Sequence, residues 1–568
     1  MGIKKLHISL YTIITRKTAE SLVVNKSQFN YLIRQTRNFT AKLPEKPIYI
    51  STPIFYVNAK PHIGHLYSVV LADSIKRYHE LKGHNVILST GTDEHGLKIQ
   101  QAASTNLKSP QEFCDEDLFN RANIGYSKFI RTTDERHKEA VQVFWDRLIA
   151  GQYVYKDIHE GWYSVSDEAF YPATQIKKFT DPSSGEDYMV SIESEQRVIW
   201  MKEENYKFRL SILRDKLLQW LEEKPSVIVP EFRINEVKGW LESGLTDLSI
   251  SRASSRVDWG ISVPGDPEQT IYVWLDALIN YLTVTGFPWV NDTRDTMLSN
   301  GWPADLHIVG KDILRFHAVY WPAFLIAANI PLPRKILAHS HWTMGKQKMS
   351  KSRGNVVDPF QVLDLYGVDA MRYYLMRDGG ISDDGDYSED WIQERYRKEL
   401  AGQLGNLLLR CTSAAVNPSQ HIPQKPAKST SEDIILHQKL IELPELIDQC
   451  YKEFHFRKAL DLISDTLAEA NKYISDNQPW ILVKDPGQAE RLNNVLYYAL
   501  ESMRIIGILL QPIMPEKMTQ LLNKLGVLED ERKWDAAIFG KGWPNQNDLS
   551  RRLGTLEKVL FPPLKKQY

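Results

Sequence analysis

Short apolar runs and longer helical stretches alternate in the first hundred residues of the chain. A β-rich run at 48–56 is followed by a turn at 58–61 and by a long helical stretch at 66–82, which ends at Gly83. A second apolar strand follows at 86–90. Strand, helix and strand in this order predict a parallel βαβ unit, whose ligands bind beyond the carboxyl ends of the strands.

The same alternation returns after residue 300. A strand at 306–309 runs into the polar turn 310–312, an aromatic helical stretch covers 316–328, and a further strand covers 335–339. A loop with four cations, two hydroxyl side chains and flanking glycines follows at 345–355. As a charge run alone, this loop could be a solvated surface or a localisation signal. After these strands we expect it to be mobile and to close over a polyphosphate.

Strand signals disappear from about residue 390 onward. Amphipathic helical patterns dominate instead, for example at 391–410 and 436–473, so we predict an all-α helix bundle. A proline-rich stretch at 417–428 predicts an exposed loop inside the bundle. The fold class is therefore an α/β domain with a Rossmann-like parallel sheet, interrupted by an insertion and followed by helices.

Two polar clusters fall at the predicted carboxyl edge of the sheet. His62 and His65 lie where the first strand passes into the helix, and Asp93 and His95 follow the second strand. The first amides of a helix lack partners and the helix dipole favours an anion, so this position suits a phosphate group. Taken alone, the two histidines could be a metal pair or, far more commonly for such a motif, exposed surface residues. Their position at the strand–helix junction favours phosphate.

Composition excludes several classes of protein. The 568 residues are 43% apolar and 25% charged, which is typical of globular domains rather than of disordered or fibrous chains. No uncharged apolar stretch reaches the length of about 20 residues that a membrane helix needs. The cysteines, Cys114, Cys411 and Cys450, are far apart and predict neither a disulfide framework nor a cysteine zinc site.

The formal net charge of −1 conceals an uneven distribution. Residues 1–43 hold eight basic residues and one acidic residue among serines, threonines, leucines and isoleucines, which is the composition of an organellar transit peptide. A flexible basic arm that touches RNA is the alternative. The sequence around Arg37 resembles a mitochondrial processing site. We therefore predict a mature start near Thr40 and a location in the mitochondrial matrix.

Two signatures far apart in the chain resemble those of class I aminoacyl-tRNA synthetases, namely His62-Ile63-Gly64-His65 and Lys348-Met349-Ser350-Lys351-Ser352. Within that class the chain is similar to methionyl-tRNA synthetases of bacteria and mitochondria over 47–545. The other matching stretches are 52–58, 91–96, 272–277, 310–312 with His317, and 477–480. The resemblance implies a class I catalytic domain, an inserted connective domain and a helical anticodon-binding domain.

The predicted domain boundaries combine these patterns with the resemblance. They are a transit peptide at 1–40, the first catalytic half at 41–153, the connective insertion at 154–255, the second catalytic half at 256–341, the basic loop and stem-contact region at 342–390, the anticodon-binding helices at 391–545 and a tail at 546–568. We expect a monomer, because no room remains beyond Pro563 for an appended dimerisation or tRNA-binding domain.

The resemblance implies an enzyme that joins methionine to tRNA(Met) in two steps. The methionine carboxylate attacks the α-phosphate of ATP, which binds with Mg²⁺, and the adenylate then esterifies the terminal ribose of the tRNA. The implied roles are phosphate donors at His62 and His65, cations for the leaving pyrophosphate at Lys348 and Lys351, and a ribose acceptor at Asp312. Such chemistry depends mainly on positioning and charge stabilisation.

The resemblance also implies a binding site for methionine. Its members are an ammonium partner at Asp93, the Ile54 backbone and Tyr56 beside it, and a thioether slot formed by Trp274, Tyr281 and His317. On spacing alone, Trp274 and Tyr281 could be ordinary core aromatics.

In the family, the positions of Asn406, Arg410 and Trp480 read the anticodon by base stacking and base-edge hydrogen bonds. A polar pair on a solvated face and a core tryptophan are the alternative interpretation. Where family members often carry Cys-x-x-Cys, this chain has Ser164 and Asp167. Serine is a poor zinc ligand, so we predict a metal-free knuckle held by aromatic packing.

Two other functions remain open from the sequence. A cysteine-specific class I synthetase would use a zinc–thiolate pocket, which three scattered cysteines do not build. A catalytically silent tRNA-binding protein descended from a synthetase is the second alternative. The intact signature histidines and lysines, together with Asp93, argue against it.

Overall fold

The computed structural model describes residues 46–56, 61–96, 118–164, 169–171, 173–181, 185–192, 194–349, 355–427, 429–542 and 551–564. The predicted transit peptide at 1–40 and the expected cut near Thr40 lie outside these residues. Within the described ranges, no helix is both long enough and apolar enough to cross a membrane.

With the exception of the last one, the described strands all lie before residue 350. In chain order they are β1 (Ile48–Tyr56), β2 (Val86–Asp93), β3 (Lys128–Arg131), β4 (Val154–Ser164), β5 (Ala169–Tyr171), β6 (Ile176–Thr180), β7 (Asp187–Ser191), β8 (Arg197–Phe208), β9 (Ile228–Val229), β10 (Leu248–Ser249), β11 (Ser251–Ala253), β12 (Ser262–Val263), β13 (Asp266–Ile271), β14 (Leu306–Gly310), β15 (Ile336–His339), β16 (Trp342–Met344), β17 (Gln347–Lys348) and β18 (Gly385–Asp386).

Helices occur throughout the described chain and dominate its last third. They are α1 (Ile63–Leu81), α2 (Leu118–Arg121), α3 (Glu135–Ala150), α4 (Arg214–Glu223), α5 (Phe232–Glu242), α6 (Val273–Thr283), α7 (Arg294–Ser299), α8 (Trp321–Ala327), α9 (Pro359–Tyr366), α10 (Val368–Asp378), α11 (Glu389–Arg395), α12 (Asn406–Thr412), α13 (Ser431–Lys452), α14 (Phe456–Asn477), α15 (Pro479–Leu482), α16 (Ala489–Leu510) and α17 (Pro515–Lys524). Two π-helical segments, Phe316–Tyr320 and Tyr396–Gly405, precede α8 and α12 respectively.

Six strands form a parallel sheet in the order β3-β2-β1-β14-β15-β9. Strand β1 pairs with β2 on one side and with β14 on the other, so the order of the chain reverses beside β1. In open parallel sheets, ligands bind at the carboxyl edge where this reversal occurs. Helix α1 begins at this edge, and the predicted βαβ unit is confirmed.

Helix α1 begins at Ile63 rather than at the predicted residue 66. The side chain of His62 accepts a hydrogen bond from the Gly64 amide and so caps the helix. At the other end the helix stops before Gly83, whose φ of +86° is a left-handed conformation that glycine adopts without strain.

The predicted insertion at 154–255 contains one strand of the main sheet. Strand β9 lies within it and pairs with β15 through Ile228 and Ile336. Its other strands except β11 form an antiparallel sheet in the order β5-β4-β8-β7-β6, with β10 beside β8. Strand β11 belongs to a separate three-stranded sheet in the order β11-β13-β12, and helices α4 and α5 also lie in the insertion. A strand of two residues shows no periodic pattern, so no local feature predicted that the chain returns to the main sheet here.

The helices that follow residue 389 pack as the predicted bundle. Helices α13, α14 and α16 contact one another, and α16 is buried from Asn494 to Leu510. The predicted helical stretch at 391–410 is continuous with α11 and α12, although its middle part is π-helical.

The described part of the predicted tail, 551–564, packs against the bundle. Phe561 is buried against the ring of Tyr396, and the Tyr396 hydroxyl donates to the Pro562 carbonyl at 2.7 Å. The Gly554 amide donates to the carbonyl of Lys524 at the end of α17. This stretch is therefore part of the helical domain.

A buried ion pair joins α1 to the helices that follow the main sheet. Asp73 on α1 accepts from Arg372 on α10 and from Arg77, each at 2.6 Å. Arg372 also donates to the carbonyls of Pro512 and Ile513. Burial raises the pKa of Asp73, but the two guanidinium groups outweigh it and hold this pKa below its usual range. The side chains of Asp73 and Arg372 are completely buried.

Replacing Arg372 by methionine should destabilise the protein strongly. The substitution leaves the buried Asp73 carboxylate with Arg77 as its remaining cation, and breaking a buried pair typically costs about 3–5 kcal/mol. The measurement is the free energy of unfolding from urea titration. Asp73→Asn combined with Arg372→Met should recover part of the loss, because no charge is then stranded. The matched control is Lys398→Met, which breaks the exposed pair with Glu394 and should cost less than about 1 kcal/mol. Equal losses in the two single variants would contradict the prediction.

Candidate active site

The start of α1 presents two imidazole rings in a fixed arrangement. His62 Nδ1 accepts from the Gly64 amide at 3.1 Å, and His65 Nδ1 accepts from the His62 amide at 3.2 Å. The rings stack with centroids 3.8 Å apart. Because Nδ1 of each neutral ring is an acceptor, the proton of each ring is on Nε2. A Cβ at Gly64 would lie 2.9 Å from the His62 ring, so glycine is required for this cap.

The segment that carries the signature lysines is anchored beside this helix start at both of its ends. Before it, His339 at the end of β15 contacts the Ser68 hydroxyl of α1 at 2.8 Å through Nε2. After it, the Val357 carbonyl accepts from the Ile63 amide at 3.2 Å. Lys348 lies between these anchors on β17 and is exposed. Residues 350–354, which include Lys351, lie outside the described residues.

The turn after β14 carries the predicted ribose acceptor. Asp312 is 62% exposed, and its Oδ1 accepts from His341 Nε2 at 3.1 Å. Gly310 and His339 are register partners at the ends of β14 and β15, so Asp312 and His341 face each other two residues beyond them. This carboxylate is therefore oriented by the neighbouring strand end.

The predicted ammonium partner lies at the end of β2. Asp93 is the register partner of Tyr56, and Ile54 is the partner of Gly91, so Tyr56 and Asp93 are side by side at the carboxyl edge. The residues after Asp93 are held firmly. Glu94 is buried and accepts from Arg131 at 2.6 Å, while His95 Nδ1 contacts Asp276 at 2.7 Å.

The predicted thioether slot is lined by α6 and the adjoining π-helical segment. The Trp274 ring stacks on Phe316 with centroids 3.6 Å apart. His317 Nδ1 donates to the Ile313 carbonyl at 2.9 Å, so its Nε2 accepts from the Tyr281 hydroxyl at 2.7 Å. Burial lowers the pKa of His317 to about 4. The predicted slot residues are thus aromatic rings and a neutral histidine, held on α6 and the adjoining π-helical segment.

At the predicted knuckle, a guanidinium group lies among aromatic rings. Arg252 is 5.3 Å from the Phe170 ring centroid, 5.8 Å from that of Tyr163 and 4.3 Å from that of Tyr272, which precedes α6. Ser164 is buried at the end of β4, and Asp167 lies outside the described residues. Within the described part of the chain, no cluster of three histidine, cysteine or acidic side chains is placed to hold a metal.

Two of the three predicted anticodon residues are in contact. The Arg410 guanidinium lies 5.1 Å from the Trp480 ring centroid, although the residues belong to α12 and α15. Trp480 is 38% exposed, so its ring is open to a base as well as to the protein. Asn406 is exposed one turn before Arg410 on the same helix face.

Comparison with protein families agrees with this arrangement. The family described as tRNA synthetases class I (M) matches residues 48–412, which is more than half of the chain. The anticodon binding domain of methionyl tRNA ligase matches residues 422–540. The chain belongs to the methionyl-tRNA synthetase family of class I.

Curated relatives and solved structures of this family cover most of the chain. The probable mitochondrial methionine–tRNA ligase of Neurospora crassa is 45% identical over 542 residues, covering 92% of this chain and 87% of the relative. The human mitochondrial methionine–tRNA ligase is 45% identical over 545 residues, covering 91% and 90%. The Mycobacterium tuberculosis methionyl-tRNA synthetase in complex with methionyl-adenylate matches with a TM-score of 0.84 and 39% identity, over 91% of this chain and 100% of that one.

The structure adds residues to this synthetase site that the sequence reasoning missed. Asp276 on α6 is buried and contacts both His95 and His137, the latter at 2.8 Å. Burial raises the pKa of Asp276, but the two histidines outweigh it and lower this pKa below its usual range. The signal was present in the sequence, because an aspartate inside an apolar helix needs a buried partner. The identity of that partner was not readable, since His137 is 139 residues away.

Acidification should destabilise the protein through its buried neutral histidines. Burial lowers the pKa of His317 and of His339 to about 4, whereas an unfolded histidine has a pKa of about 6.5. Between these values the unfolded state binds more protons, so stability falls as the pH decreases from about 6.5 to 4. At pH 5 each histidine should cost about 2 kcal/mol. Urea titrations at pH 7.5 and pH 5 measure this loss, and His339→Gln should reduce it. A stability that does not change over this range would contradict the assignment.

Proposed function

We propose that the carboxyl edge of the main sheet forms methionyl-adenylate and that the surface around Trp480 selects the tRNA. As a methionyl-tRNA synthetase, the protein activates methionine with ATP and transfers it to the 3′-terminal ribose of tRNA(Met) in mitochondrial translation. The residue assignments depend most on the hydrogen bond from the Ile63 amide to the Val357 carbonyl. It anchors the lysine-bearing segment at the start of α1.

The triphosphate of ATP, which arrives with Mg²⁺ as part of the substrate, is bound at the start of α1. His62 and His65 direct their Nε2 protons toward it, in addition to the dipole of the helix. The first amides of α1 do not contribute, because Ile63, Gly64 and His65 already donate to the Val357 carbonyl, His62 Nδ1 and the His62 carbonyl respectively. Lys348 and Lys351 neutralise the charge that grows on the leaving pyrophosphate. Because hydrogen bonds to the Gly64 and His62 amides already orient the two imidazoles, these two donors need little reorganisation in the transition state.

The activation step itself requires no proton transfer. A carboxylate oxygen of methionine forms a bond to the α-phosphorus, and the bond from that phosphorus to the bridging oxygen breaks, so that pyrophosphate leaves with the electron pair. The protein contributes by holding two anions close together and in line. Asp312 fixes the nucleoside by accepting from a ribose hydroxyl.

Methionine is bound by one charged contact and an apolar slot. The Asp93 carboxylate pairs with the ammonium group, and Tyr56 and the Ile54 backbone lie beside it. Trp274, Tyr281 and His317 surround the thioether, and sulfur–aromatic contacts of about 0.3–1.5 kcal/mol favour it over a hydrocarbon side chain. The low pKa of His317 supports this role, since a charged imidazole would be a poor neighbour for the thioether.

The tRNA anticodon is read on the helical domain. An anticodon base stacks on Trp480, and Arg410 and Asn406 bond base edges, which is how proteins generally read single-stranded loops. The existing contact between Arg410 and Trp480 supports this proposal, because it brings a cation and an aromatic platform together before RNA arrives.

Substitutions at the two sites should separate the two steps. Lys351→Ala should reduce methionine-dependent ATP–pyrophosphate exchange by about 10²- to 10³-fold, because it removes a cation that stabilises the leaving group. Trp480→Ala should leave exchange unchanged and reduce tRNA charging by about tenfold or more. Exchange and charging assays on the purified variants measure both effects.

Two exposed residues elsewhere provide the controls for this pair. Lys224→Ala on the insertion and Phe232→Ala on α5 should leave both assays near wild type. The assignments fail if Lys351→Ala preserves exchange, or if Trp480→Ala lowers exchange as much as charging.

We propose the mitochondrial matrix as the location, because the relatives are mitochondrial enzymes and residues 1–43 have the composition of a transit peptide. Deleting residues 1–40 should leave the protein in the cytosol, and the imported protein should begin near Thr40 by N-terminal sequencing. Import of the truncated protein would contradict this proposal. The monomeric state stays a prediction, which sedimentation velocity checks.

A further inference from the structure

The contact between Asp312 and His341 is built from two strand ends. Because Gly310 and His339 pair in register, the residues two positions further on are held opposite each other. His341 Nε2 donates to Asp312 Oδ1 at 3.1 Å. The Asp312 side chain is 62% exposed, so the carboxylate remains accessible to a ligand. One oxygen is thus held by the protein, and the other can accept from a ligand.

The backbone of His341 is fixed on both sides. Its amide donates to Asp384 Oδ1 at 2.9 Å, and its carbonyl accepts from the Gly385 amide at 2.9 Å. The same Asp384 oxygen accepts from Lys311 Nζ at 2.6 Å. Asp384 therefore links the turn that carries Asp312 to the segment that carries His341. The backbone position from which the imidazole extends is thus fixed.

The main chain beside Asp312 is shaped for this orientation of its carboxylate. A Cβ at Gly310 would lie 2.4 Å from Asp312 Oδ1, closer than two such atoms can approach. The carboxylate therefore occupies the space that a side chain at position 310 would fill. This close approach places Oδ1 within reach of His341.

We propose that His341 is a positioning residue for ATP, which holds Asp312 Oδ1 so that Oδ2 accepts a hydrogen bond from a ribose hydroxyl. This inference rests on the proposed ribose role of Asp312. It adds a residue that lies outside the two signature motifs. A carboxylate on a freely rotating side chain would have to be ordered when ATP binds, and the contact with His341 removes that entropic cost beforehand.

The position of His341 also connects ribose binding to the lysine-bearing segment. His341 immediately precedes β16, and β16 pairs with β17, which carries Lys348. A shift of the β16–β17 hairpin would therefore move the group that orients Asp312. Recognition of the nucleoside and placement of Lys348 depend on the same short segment.

The test compares substrates that differ by a single hydroxyl group. Wild-type protein should show a lower KM for ATP than for 2′-deoxy-ATP or 3′-deoxy-ATP in methionine-dependent pyrophosphate exchange. His341→Phe keeps the ring but lacks the donor, so it should raise the KM for ATP about tenfold and bring the deoxy-ATP to ATP ratio of KM values toward one. The KM for methionine should not change. His341→Gln retains a donor at a similar place and should restore most of the ratio.

The control is His455→Phe, an exposed histidine on the helical domain that should leave every ratio unchanged. A ratio of KM values does not depend on the fraction of folded enzyme, so partial misfolding cannot imitate the result. The inference is overturned if His341→Phe keeps the wild-type ratio, or if His341→Gln loses it equally. Asp312→Ala distinguishes the positioning role of His341 from the ribose-binding role of Asp312. If that variant also keeps the ratio, the ribose role of Asp312 fails, whereas a lost ratio in Asp312→Ala alone refutes only the role of His341.

Discussion

The N-terminus of α1 must lie at the point where β1 and β14 diverge, and the remaining architecture follows from this constraint. Nineteen residues give the helix a length of about 28 Å. Its first turn carries His62 and His65, its middle holds the buried Asp73 paired with Arg372, and its last turns meet the helical domain, where Tyr78 donates to Asp448 at 2.7 Å. One helix therefore runs from the proposed phosphate site to the helical domain.

Three buried histidines beneath the candidate active site are uncharged. His307, His317 and His339 are buried, and burial lowers the pKa of each, so that they act as neutral hydrogen-bonding groups. His307 contacts Ser51 at 2.6 Å and Trp321 at 3.3 Å, which fixes its ring below β1. The proposed pairing of Asp93 with the methionine ammonium benefits from burial, because a charged contact away from water is stronger than one in water.

In the described residues, the insertion contacts the start of α6 through the guanidinium group of Arg252. Arg252 lies against the ring of Tyr272, the residue that caps α6, and Trp259 donates to the Glu94 carbonyl at 2.6 Å beside Asp93. Residues at the end of the insertion and directly after it thus contact the start of α6 and the end of β2, which carry residues of the proposed methionine site. The predicted metal-free knuckle is consistent with this packing and stays a prediction.

Local patterns in the sequence determined the strand-to-helix junction at His62, the strands that form most of the main sheet, the helical C-terminal part and the family. These features depend on residues close together in the chain, where periodicity, capping and motif spacing are readable. The sequence did not reveal β9 beside β15, the partners of Asp276, the packing of 551–564 or the contact between His341 and Asp312. Each of these joins residues that are far apart in the chain, and their meeting is decided by how strands and helices pack rather than by any local preference. Only the tertiary structure therefore shows how the side chains of the site are oriented. The sequence alone predicted that most of them lie at the carboxyl edge of the main sheet.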